Sequence, residues 1–96
     1  MSSSEENRFT VWVFVGAGAS FPSAVFADFE GADTWICKHR LTGVLTEYPL
    51  NTGIYEWAIE RGAFTPKKDE HTQPAFIARF TSASQEHFHY ENGARP

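Results

Sequence analysis

The chain has a single cysteine, Cys37, so no intrachain disulfide can staple it. It has no apolar run near the roughly 18–20 residues that span a bilayer. Its first residues, Met1 to Asn7, lack the basic and apolar regions of a signal peptide, and the expected address is the cytoplasm. A basic stripe is missing too. The eight Lys and Arg are scattered in a chain of formal net charge −4, and Lys67-Lys68 runs straight into Asp69-Glu70. Nucleic-acid binding needs cations clustered to displace phosphate counterions, so no nucleic-acid partner and no membrane are expected. Internal repeats are absent as well.

Aromatic residues are what the chain has in quantity. Nine Phe, three Trp and three Tyr stand among 42% hydrophobic residues, enough to fill one core in a 96-residue chain. A chain of this size buries roughly 60–70% of its unfolded surface, which suits one domain. Residues 1–7 read as a polar tail, 8–93 as the domain and 94–96 as a C-terminal tail.

From Phe9 to Val15 the chain is apolar on both alternating faces, with Phe9, Val11, Val13 and Val15 on one and Trp12 and Phe14 on the other. Such a strand is expected in the centre of a sheet, covered on both sides. Gly16 to Ser20 then makes a hairpin loop into a second strand over Phe21–Ala27, with Pro22 placing its start at an edge. Asp28 caps a helix whose apolar face is Phe29, Ala32, Trp35, Ile36 and His39. Leu41 to Tyr48 is a third strand, stopped by Pro49. Asn51 or Thr52 caps a second helix, Ile54 to Ile59, ended by Gly62.

Lys67 to Gln73 reads as a charged, flexible loop without an apolar face. Ala75 to Phe80 reads as a short helix capped by Thr72 with Pro74 in its first turn. Glu86 to Glu91 alternates strictly, which predicts a half-buried strand with Phe88 and Tyr90 inward. The order β-β-α-β-α-(α)-β predicts an α+β domain: a small, mainly antiparallel sheet with helices packed on one face.

Four features invite a chemical reading. Gly16 and Gly18 follow a strand, as in phosphate-binding loops. The third glycine and any Gly-Lys-Ser/Thr are missing, however, and a strand follows, which favours a plain hairpin turn. His87, His89 and Glu91 project from one strand face about 7 Å apart. Two imidazoles and a carboxylate suit zinc, while the plainer reading is the polar side of a half-buried strand. A fourth ligand, His71, is distant in sequence. Cys37 sits late in its helix, where the dipole disfavours a thiolate, so an inert, partly buried thiol is expected. Ser82 and Ser84 precede His87 without a nucleophile-elbow pattern, and Glu56 and Glu60 share a solvated helical face. Among the tryptophans, Trp35 and Trp57 read as core. Trp12 is the one of the three best placed to line a surface groove or partner contact, with Tyr48 nearby, but core packing is the favoured reading for it too.

The segments Val11-Trp12-Val13-Phe14, Phe21-Pro22-Ser23-Ala24-Val25-Phe26, Trp35-Ile36 with Lys38-His39, Leu45 to Leu50, Gly53 to Glu60 and Arg79 to Glu91 together resemble a family of short, uncharacterised bacterial proteins classed only as a domain of unknown function. The resemblance spans roughly Thr10 to Gly93. It implies one domain and brings no activity or catalytic residue with it. Three functions stay open: a non-enzymatic module that binds another protein or a second copy of itself, which leads; a metal-binding protein or metal-dependent enzyme built on His87, His89 and Glu91; and a small-molecule pocket between sheet and helices near Trp12 and Tyr48.

Overall fold

The computed structural model describes residues 9–96, so the tail expected over 1–7 lies outside the described residues. Four strands, β1 (Thr10–Gly16), β2 (Ala24–Phe26), β3 (Gly43–Pro49) and β4 (His87–Tyr90), form one antiparallel sheet in the order β2-β1-β3-β4. Helices α1 (Phe29–His39), α2 (Ile54–Glu60) and α3 (Pro74–Ala78) and a 3-10 turn at Asp69–Thr72 complete the α+β order.

The helix α1 forms where its spacing puts it. Asp28 Oδ1 accepts the Gly31 N–H at 2.7 Å, satisfying one donor that the first turn leaves free. Its apolar face supplies Ala32 and Ile36 to a core shared with Trp12, Phe14, Leu45 and Tyr90. Trp35 meets Phe14 edge-on at 5.8 Å, and Phe29 meets Trp12 at 5.3 Å. The helix ends at Arg40, which takes the left-handed conformation at φ 54°. The Arg40 N–H donates to Cys37 O and the Leu41 N–H to Ile36 O. This closing pair usually has glycine at the left-handed position.

β1 is internal, between β2 and β3, but it is not covered on both faces as expected. The fully buried sheet residues, Trp12, Phe14, Gly43, Leu45 and Tyr90, all lie on the α1 side. Val11, Val13 and Val15 are half-buried on the other. Ladder pairing alone fixes the central place, and neighbouring side chains in the sheet shield those valines only in part. Gly43 is obligatory here. A Cβ on it would come within 2.4 Å of Val15 O and 2.7 Å of Phe14 Cζ.

The second helical segment departs from expectation at its cap. Gly53, not Asn51 or Thr52, precedes α2 and gives no side-chain bond. Gly62 does close it at φ 74°, with Ala63 N–H on Ala58 O at 2.8 Å. Phe64 folds back to join Tyr55, Phe76 and Phe80 in a second aromatic cluster. Lys67 to Gln73 is not a featureless loop. His71 packs on Phe64 and Phe76, and its Nδ1 accepts the backbone N–H of Lys67 at 3.0 Å and of Lys68 at 3.3 Å. Pro74 opens α3 as expected. Its cap is Gln73, because the Thr72 hydroxyl donates to Asp69 O instead.

Asn92 at φ 51° and Gly93 at φ 83° form a two-residue turn that pairs Glu91 with Ala94, the geometry Asn-Gly favours. Gly93 is buried against the end of α1, where a Cβ would meet Arg40 Cα at 2.8 Å. The Arg95 guanidinium lies 5.3 Å from the Phe29 ring and 5.1 Å from the Phe88 ring.

Candidate functional site

Directly opposed residues in an antiparallel ladder share a face. Val13 lies opposite Val25 and Thr46, Val15 opposite Val44, and Val11 opposite Tyr48. His89 and His87 lie opposite Val44 and Thr46. These positions form the face of the sheet turned away from α1. Phe9 and Leu50 prolong it, because the Leu50 N–H donates to Phe9 O at 2.9 Å in continuation of the β1–β3 register.

An antiparallel sheet with one solvated face normally alternates apolar inward and polar outward. Here the outward face is chiefly valine. Phe9, Val25 and Leu50, which are 56%, 61% and 41% exposed, all belong to it. None of its strand positions carries an Asp, Glu, Lys or Arg, although 21% of the chain is charged. The face deepens at one end into a recess of ≈ 470 Å³ walled by Val15, Gly16, Gly18, Thr42, Val44 and His89. Gly18, at φ 79°, serves the hairpin turn beside it, as the plainer sequence reading expects.

The structure sorts the sequence candidates. Tyr48 is half-buried on the open face, whereas Trp12 is 9% exposed on the α1 side. The two do not share a surface, and Trp12 takes the favoured of its two expected places, in the core, its ring held by Phe29 and Phe88. His87 and His89 do come together, with ring centroids 5.5 Å apart on the open face. The His87 Nδ1 lies 2.8 Å from Gln85 O. Glu91 falls beyond the strand, in the pairing that closes the C-terminal turn. Among the described residues, no group of three His, Cys, Asp or Glu side chains is placed to hold a metal ion. His71 is committed to the second aromatic cluster.

Cys37 is exposed rather than partly buried. It borders a cleft of ≈ 580 Å³ with Asp33, Phe88 and Arg95. The Asp33 carboxylate there accepts the Tyr90 hydroxyl at 2.7 Å. Burial first, and that bond second, hold the Tyr90 phenol well above the usual tyrosine range. Ser82 Oγ accepts the Ser84 N–H in a local turn. Glu47 accepts the Thr10 hydroxyl at 2.7 Å, while Glu56 and Glu60 are exposed. Trp57 is half-buried, with the Arg61 guanidinium 4.4 Å over its ring. No described helix is long and apolar enough to cross a membrane.

Sequence reasoning found the alternation of the valines but treated one of their faces as covered. Leu50 was the missed signal, since it continues the run Val44, Thr46, Tyr48 past Pro49. The second was Asn92-Gly93, a strong hairpin dipeptide that fixes the C-terminal residues.

A family model described as Domain of unknown function (DUF7710) matches residues 11–96, and the chain belongs to that family. No match was found among curated proteins or among solved structures.

Proposed function

We propose that this domain is a protein-interaction module whose contact surface is the open face of its sheet. One observation carries the reading: Phe9, Val25 and Leu50, three of the large hydrophobic residues most exposed in the structure, sit on one uncharged face opposite the core. A contiguous exposed apolar surface on a small domain is a mark of association. Three of the polar groups that could otherwise suggest chemistry are engaged within the fold. Asp33 is held by Tyr90, Glu47 by Thr10, and His71 by two backbone N–H groups.

A photo-crosslinking residue placed at Val25 tests this in the native cell, with Glu30 on the exposed side of α1 as the comparison site. The proposal expects one discrete protein adduct from position 25 and none from position 30. Equal labelling from both, or none from position 25, overturns it.

A further inference from the structure

We infer that the partner of the open face is a second copy of this chain, packed sheet on sheet; this rests on the interaction reading above. Charge supplies the first argument. In a two-fold contact a charged side chain on the axis meets its own sign, so a surface that faces its own copy is favoured where charge is lacking. Each copy carries a formal charge of −4, and a binding face for a basic partner on such a chain would display carboxylates. The strand positions of this face display none. With 21% of the chain charged, about two charges would fall on Phe9, Leu50 and the nine strand positions if placement were indifferent. Val11, Val13, Val15, Val25 and Val44 instead offer stiff, β-branched side chains, which interdigitate between facing sheets about 10 Å apart.

Area supplies the second argument and sets the strength. Four strands about 4.8 Å apart, the longest of seven residues rising about 3.3 Å each, make the face at most roughly 19 Å by 23 Å, or about 450 Å² per copy. Stable interfaces cover about 800 Å² per partner, so this contact belongs to the weak, concentration-dependent class. The imidazoles of His87 and His89 lie within it. Facing them are Thr46 and Val44 on β3, with Tyr48 the other titratable strand side chain of the face and Glu91 at its rim.

Sedimentation velocity of the full chain, from about 10 μM to about 1 mM, tests the inference. The wild type is expected to move from monomer toward dimer, more so at raised salt, which screens the mutual repulsion of the acidic copies. Val25→Lys, on the short edge strand, is expected to weaken the dimer at least about tenfold. Cys37→Ser changes an exposed side chain of α1, on the opposite side of the sheet, and is expected to leave the dimer unchanged. A wild type that stays monomeric throughout, or a dimer that Cys37→Ser disrupts and Val25→Lys spares, overturns the second-copy inference. The crosslink from position 25 separates the two readings. An adduct with a different protein sinks the second copy and keeps the module, while no adduct sinks both.

Discussion

The Tyr90 hydroxyl donates a 2.7 Å hydrogen bond to Asp33 Oδ1 and so ties the last strand to the first helix. Tyr90 is 3% exposed, and a hydroxyl bonded to a carboxylate oxygen makes a stronger pair than one between two neutral groups. Tyr90→Phe keeps the ring and removes the bond. Chemical denaturation is expected to show a loss of about 1.5 kcal/mol. A loss below about 0.5 kcal/mol would mean that water replaces the hydroxyl at no cost.

The same residue predicts a response to alkali. The folded state holds the Tyr90 phenol protonated above its unfolded value, chiefly through burial and then through Asp33. Its contribution is therefore complete below the unfolded pKa of about 10 and is lost as pH rises beyond that. Wild-type stability is expected to fall between about pH 10 and 12, and Tyr90→Phe to fall less steeply over the same interval. Parallel curves for the two proteins would contradict the assignment.

Gly43 predicts a large effect from one methyl group. Its missing side chain admits Val15 O and the Phe14 ring, so Gly43→Ala forces β1 and β3 apart at the core end. The expected loss is at least about 2 kcal/mol, measured by thermal or denaturant unfolding. A nearly neutral Gly43→Ala would show that the two strands can separate there freely.

How much of this was legible beforehand depends on the kind of signal. Asp28 and the 3.6-residue spacing of Phe29, Ala32 and Ile36 set where α1 begins and which face it buries, since cap and periodicity agree locally. The Phe88 and Tyr90 alternation likewise assigned the inward side of β4. What escaped was set by tertiary contact. Nothing local told whether the Val11, Val13 and Val15 side of β1 would receive a helix, and the chain spends α1 on the other side. His71 was unreadable for a similar reason, because its backbone acceptor role appears only once Phe64 and Phe76 hold its ring.

Arg40 offers a test in the stabilising direction. It holds φ 54° at the end of α1, a conformation that costs a side-chain-bearing residue about 1–2 kcal/mol and glycine almost nothing. Glycine gives back part of this through a freer unfolded chain. Arg40→Gly is expected to raise stability by about 0.5 kcal/mol, seen as a rise of a few degrees in Tm. A fall would show that the Arg40 side chain makes a contribution larger than its backbone strain.

The most direct test of the open face as the contact surface is a series of amide ¹H–¹⁵N spectra from dilute to about 1 mM protein. The account predicts shifts that grow with concentration and cluster at Val11, Val13, Val15, Val25, Val44, Thr46, His87 and His89. Spectra that move instead along the exposed side of α1, or that do not move at all, would contradict it.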